Sequence, residues 1–229
     1  MKTAFNFSKL ALASLVILTL GAMSVWAQRP KGKVAPPPPP PIRQESPPPL
    51  LPIKSVADTL LAPAGWMRYR IGEPERFSLI LPVPPEAGGE RATFATGEVM
   101  TVRTYMSLGA AGVYGANYIE DVPVAVAGGT EGVQHAFFDG FVKGFAGEFQ
   151  EVMKKQGSTE QLKILEQRSA TAGGLAGYEQ DLSFGLVTGQ LRLVFDGRRA
   201  YGLMALWPAD APESERKLFF ESLRVNRKR

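Results

Sequence analysis

The 229-residue sequence contains no cysteine. That absence excludes a disulfide framework, thiol catalysis, iron–sulfur clusters, cysteine-ligated zinc and acylation of a lipoprotein cysteine. It contains one histidine, His135, which leaves almost no room for an imidazole metal site and allows at most one Ser/His/Asp triad. A Walker loop, a dinucleotide-binding glycine fingerprint, a Gly-x-Ser-x-Gly elbow and a His-Glu-x-x-His pair are missing too. Nucleotide-phosphate cradling, Rossmann-type cofactor binding and zincin chemistry therefore have no sequence support. No repeat with a period of roughly 20–50 residues is visible, which argues against a solenoid or propeller.

A surplus of positive charge is apparent but misplaced for nucleic acid. The formal net charge is +4, yet residues 53–229 hold 20 Lys and Arg against 21 Asp and Glu. The excess sits in Lys2, Lys9, Arg29, Lys31, Lys33 and Arg43, and in the terminal run Arg224–Arg229. A nucleic-acid binder needs a basic face on its folded body, and this distribution gives no sign of one. Contact with an anionic membrane is expected only through an uncleaved N-terminus or that basic tail.

Two N-terminal segments stand apart in composition. Lys2 and Lys9 lead into the apolar run Leu10–Leu20, interrupted only by Ser14 and Thr19, and the small residue Ala27, with a tolerated valine two positions earlier at Val25, precedes a cleavage site. Residues 1–27 read as a secretory signal peptide. The competing reading is an uncleaved signal anchor, although the stretch between Lys9 and Gln28 is near the lower limit for a hydrocarbon core of ~30 Å. Either way, the remaining chain is expected outside the cytoplasm. Residues 28–52 form a proline-rich linker. Pro30–Pro52 carries 11 of the 19 prolines, including the unbroken run Pro36–Pro41. Proline fixes φ and lacks an N–H donor, so this stretch reads as a polyproline II spacer of ~3.1 Å per residue, or roughly 70 Å in all. The alternative is a docking ligand for an aromatic-lined groove.

Residues 53–229 read as a single α/β/α domain with its core at about 66–226. Phe77–Leu81 and Val99–Leu108 have strand character, and Tyr114–Ile119 is a weaker strand. From about Thr130 to Gln156, Val133, Phe137, Phe141, Phe145 and Phe149 recur every four residues, which builds one buried helical stripe. Gly140, Gly144 and Gly147 cost helix propensity of roughly 1 kcal/mol each against alanine, a loss that makes sense where a helix lies close against a sheet. Leu162–Ala170, Tyr178–Phe184, Leu191–Phe195 and Arg199–Trp207 read as an antiparallel meander, with Asp196-Gly197 as a hairpin turn. A closing helix is expected from Asp210, where Asp210 and Glu213 have capping-box spacing, to about Val225. The fold class expected is α+β: an antiparallel sheet flanked by helices.

Candidate chemistry is sparse. His135 lies about 200° around the helix from Phe137 and is expected on the surface; it serves as a general base only if a Ser or Asp converges on it. The adjacent acids Glu120 and Asp121 read as a solvated turn, not a calcium loop. Tyr105, Tyr178, Tyr201 and Trp207 are the candidate binding-face residues, placed on exposed strand faces. No catalytic, cofactor-binding or metal residue is assigned.

Several of these segments together are similar to one family. Trp66–Tyr69, Phe77–Pro82, the tyrosine-bearing strand Val102–Tyr105, the middle helix, Gly174–Glu179 and the terminal Phe219–Val225 resemble the PsbP-like superfamily over about residues 66–226. The superfamily includes photosystem II extrinsic proteins, a Ran-binding import factor and bacterial exported proteins. The resemblance implies an α/β/α sandwich around an antiparallel sheet and a binding or accessory role without catalysis. It transfers no functional residue, no photosystem role and no Ran binding. Composition, motifs and resemblance lead to a non-catalytic exported binding or scaffold domain, with no cofactor and with another protein of the cell envelope as partner. The alternatives are a membrane-anchored envelope coupling protein with a polyproline spacer, and a hydrolase using His135 or a carboxylate pair.

Overall fold

The computed structural model describes residues 47–56, 63, 65–72, 74–93, 98–109 and 112–226. The expected signal peptide and most of the expected linker lie outside the described residues.

The described chain forms eleven strands and three helices. The strands are β1 (Ile53–Val56), β2 (Met67–Ile71), β3 (Phe77–Leu81), β4 (Glu86–Thr93), β5 (Val99–Gly109), β6 (Gly112–Glu120), β7 (Lys163–Ala172), β8 (Leu175–Phe184), β9 (Val187–Asp196), β10 (Arg199–Pro208) and β11 (Arg224–Val225). The helices are α1 (Val124–Ala127), α2 (Glu131–Lys155) and α3 (Glu213–Glu221). Seven strands make one sheet in the order β4-β5-β6-β10-β9-β8-β7, and four make a second in the order β1-β2-β3-β11. Every pairing is antiparallel.

Alternation along the central strands explains the layers. On β10, Ala200, Met204 and Leu206 join the apolar layer under α2, while Tyr201, Leu203, Ala205 and Trp207 join a second layer made with the small sheet and α3. A strand covered on both faces can be apolar on both, and β6 follows the same rule, with Val113 and Ile119 on one side and Tyr114, Ala116 and Tyr118 on the other. The molecule is therefore richer in strand than an α/β/α sandwich. Helix α2 covers one face of the large sheet. The other face is covered by the four-stranded sheet together with the single short helix α3, where a helical layer was expected.

Helix α2 matches its sequence signal closely. Phe137, Phe141, Phe145 and Phe149 are buried, and Phe138, off the four-residue stripe, is buried more deeply still. Phe138 stacks on Tyr178 with ring centroids 5.8 Å apart, and Phe149 meets Phe184 edge-on at 5.1 Å. The helix ends in a Schellman motif: Gly157, at φ 84°, donates to the Lys154 carbonyl at 2.9 Å, and Ser158 donates to the Met153 carbonyl at 2.9 Å. Gly140 and Gly144 are buried as expected, but Gly147 is exposed with open space around its Cα. The sheet also makes room for the helix. A Cβ on Gly202 of β10 would lie 3.3 Å from Cζ of Phe141.

Helix α3 starts later than expected. Pro212 is its N-cap and no side chain caps it, so the Asp210–Glu213 box is not made. Its far end is pinned to the small sheet. Buried Arg68 donates through Nη1 to the Ser222 carbonyl at 2.9 Å, while Ser222 Oγ accepts the Ile80 N–H at 2.9 Å and donates to the Phe219 carbonyl at 2.8 Å.

The packed chain reaches back ahead of the expected boundary at residue 53. Pro48 is buried, Arg103 Nε donates to the Pro49 carbonyl at 2.9 Å, and Leu51 packs against the second layer. The Gly72 N–H then donates to the Pro52 carbonyl at 2.9 Å. Residues 48–52 thus form a strap lying against β5 and the turn after β2.

Candidate functional site

The four aromatic residues singled out from the sequence are all buried, so the exposed faces expected for them do not exist. Tyr105 and Tyr201 are sealed beneath the small sheet, both packed on Phe77 with ring centroids 5.8 and 5.6 Å away. Tyr178 lies on the opposite face, under α2, and donates its hydroxyl to the Glu131 carbonyl at 3.0 Å. Trp207 sits by α3, edge-on to Phe220 at 6.5 Å. The four do not converge on one groove. Tyr178 borders a shallow concavity of about 410 Å³ beside the start of α2, and Trp207 borders a larger one.

Burial controls the acidity of these phenols. Loss of solvent pushes Tyr114 and Tyr118 up to about 12, and it drives Tyr105 and Tyr201 higher. Such groups stay neutral at physiological pH. The hydroxyls of Tyr105, Tyr114 and Tyr201 have no hydrogen-bond partner, whereas Tyr118 donates to Glu120 at 3.1 Å.

The larger concavity, about 630 Å³, opens where the outer face of β7, β8 and β9 runs up to α3. Strand register builds its floor. Arg168 on β7 lies opposite Glu179 on β8, and Glu179 lies opposite Arg192 on β9. Arg168 reaches Glu179 and Asp181 at 2.6 Å each, and Arg192 Nε donates to Glu179 at 2.8 Å. Gln190, directly across from Asp181, donates to it at 3.0 Å. Glu179 is itself buried, so its charge is matched by two guanidinium groups. The hydrogen bond to Asp181, ahead of the charge of Glu179, holds the Arg168 guanidinium above its ordinary range.

Helix α3 forms the wall. Arg192 lies over the Phe220 ring at 4.9 Å and Arg216 over the Trp207 ring at 5.0 Å. Glu213, Lys217 and Glu221 form a rim of mixed sign. Thr188 Oγ1, Trp207 Nε1 and Arg216 Nε, all from lining residues, are sealed and have no hydrogen-bond partner. The groove was missed in the sequence, although a signal for it exists. Arg168, then Glu179 and Asp181, then Gln190 and Arg192 place polar side chains on one face of three successive strands, the pattern of a face left open to water.

Of the acid and hydroxyl that a general base would need beside it, the histidine has one aspartate, Asp139, a turn along its own helix, while the acidic pair is divided between an ion pair and a turn. His135 is about half-exposed, lies 3.6 Å from Asp139 and 3.0 Å from the Gln167 amide, and sits edge-on to Tyr178 at 5.2 Å. Neither Ser nor Thr is hydrogen-bonded to it among the described residues. Glu120 is held by Arg103 and Tyr118, while Asp121 turns the chain at φ 59°. Among the described residues, no group of three or more acidic or imidazole side chains could hold a metal ion, and no helix is long and apolar enough to cross a membrane.

No protein-family model matches the chain, and no curated protein matches it. Among solved structures the chain is similar to the solution structure of cyanobacterial PsbP from Synechocystis sp. PCC 6803. Identity is 12%, the match covers 75% of this chain and 98% of that one, and the TM-score is 0.41. Nothing of that protein's activity is carried over to this chain.

Proposed function

We propose that this chain is a non-catalytic binding domain, exported from the cytoplasm on its N-terminal signal and carried on its proline-rich spacer, with another protein of the cell envelope as its partner. One observation carries the reading: the ionisable groups on the floor of the groove beside α3 are committed to one another. Arg168, Glu179, Asp181 and Arg192 form a closed ladder, so none of them is poised as a base or nucleophile. General acid–base catalysis needs a group whose protonation changes during the reaction, whereas recognition needs a fixed surface of defined charge. The mixed rim of Glu213, Lys217 and Glu221 around Trp207 and Phe220 supplies such a surface.

The test is site-specific photocrosslinking of the full chain in an envelope preparation. A crosslinker at Lys217, on the groove rim, is expected to trap one reproducible protein adduct; one at Lys143, exposed on α2 at the other face, is expected not to. Identical adducts from both positions, or none from Lys217, would overturn the reading. Sequencing the mature N-terminus separates export from anchoring. A start at Gln28 supports release from the membrane, and an intact Met1 supports an anchor.

A further inference from the structure

Glu90 lies on β4, the edge strand of the seven-stranded sheet, directly opposite Val102 of β5. Val102 belongs to the apolar layer under α2, so Glu90 turns its carboxyl to the helix side. There it comes within electrostatic range of Glu148, which precedes buried Phe149 on α2. One oxygen of each carboxyl, Glu90 Oε1 and Glu148 Oε2, is sealed from solvent and lacks a hydrogen-bond partner. Among the described residues neither glutamate makes an ion pair.

Among the described residues the surroundings supply no compensating charge. On the same side of β4 the other titratable residue is Glu86, which is exposed. The facing positions of β5 are Met100, Val102, Thr104 and Met106. Along α2, Glu151 and Lys155 follow at one and two turns, and both are exposed. Two ionised carboxylates in such a place would each keep one oxygen sealed and unpaired and would repel one another, an arrangement proteins avoid by holding a proton.

We infer that Glu90 and Glu148 form a proton-holding carboxyl pair that seats edge strand β4 on α2 and loosens it as the surroundings turn alkaline. The electrostatics agree. Burial, then the charge of Glu148, pushes Glu90 from 4.5 up to about 8, and burial pushes Glu148 from 4.5 up to about 7. Two such groups titrate as a pair. The unfolded chain releases these protons near pH 4.5, whereas the folded chain keeps them to about pH 7–8. Stability from the pair is therefore complete below pH 4.5 and is lost as pH rises through 7 to 8. An edge strand that lifts exposes unpaired backbone groups along the edge of β5 beside it, so the device converts alkalinity into a new surface. It is independent of the groove beside α3.

The experiment uses the full chain. Hydrogen exchange of the β4 amides, referenced at each pH to those of β9, is expected to lose about tenfold protection or more between pH 6 and 9, one pKa unit of coupling being a factor of ten. Glu90→Gln and Glu148→Gln are expected to flatten that dependence while leaving the β9 amides unchanged. Carboxyl carbon titration by NMR in the unsubstituted chain decides the matter without any variant. Both glutamates titrating near 4.5, or a β4 response in Glu90→Gln equal to that of the parent, would overturn the inference.

Discussion

Phe77 sits at the centre of a knot of phenols. Tyr105, Tyr118 and Tyr201 all lie with ring centroids within 6 Å of it, yet Tyr105 and Tyr201 have hydroxyls without a partner. A sealed hydroxyl without a hydrogen bond costs desolvation and returns nothing. Tyr105→Phe and Tyr201→Phe are therefore expected to leave stability within about 0.5 kcal/mol of the parent or to raise it. Tyr118→Phe, which removes the bond to Glu120, is expected to cost about 1 kcal/mol, and Tyr201→Ala about 3–5 kcal/mol. Urea denaturation of the four variants checks the ranking. Gly177 makes a harsher test, because a Cβ there would run into the carbonyl oxygen of Leu193 and Cα of Val194, backbone atoms of the neighbouring strand. Gly177→Ala is expected to lose about 3 kcal/mol or more by the same measurement. The chemistry of these residues was legible in the sequence but their burial was not. Tyrosine alternating with arginine on β5 looks like a wet face until a second layer covers it, and that layer comes from strands far away in the chain.

At the scale of elements, legibility followed the locality of the signal. Helix α2 could be read to within a residue at each end because its stripe, its last-turn lysines and its Gly157 cap are all local. The meander β7–β10 was equally plain from alternation and the Asp196-Gly197 turn. Strands β1, β2, β4 and β11 were not identified as strands. They are short or glycine-bearing, and β11 in addition pairs with a strand, β3, more than a hundred residues away in the chain. The groove suffered the same fate, since its ladder needs the register of three strands at once. That ladder gives the next prediction. Glu179→Gln keeps the shape but removes the charge that holds Arg168 and Arg192, and it is expected to cost about 1.5–3 kcal/mol. Because Arg192 also lies over Phe220, the substitution is expected to loosen α3, visible as faster hydrogen exchange along Glu213–Glu221. Unchanged exchange there would show that α3 is held by its aromatic contacts and its Ser222 hydrogen bonds without help from the ladder.

For the whole molecule, the boundary of the fold matters most. A chain beginning at Ile53 would lack the strap and leave Arg103 without the Pro49 carbonyl it donates to. Against a chain beginning at Pro47, it is expected to lose about 2 kcal/mol from one charge-assisted hydrogen bond and the packing of Pro48. Equal urea midpoints for the two would show that the strap merely rests on the surface. The strap also has a mechanical meaning. A domain tethered through its N-terminus feels every tug from that side, and β1 is an outer strand of four residues that could be peeled away one hydrogen bond at a time. Residues 48–52 stand ahead of it and grip β5, the second strand of the larger sheet. They would act as the strain relief on a cable: a pull arriving at Pro48 would meet the bond between Arg103 and the Pro49 carbonyl before it reached β1.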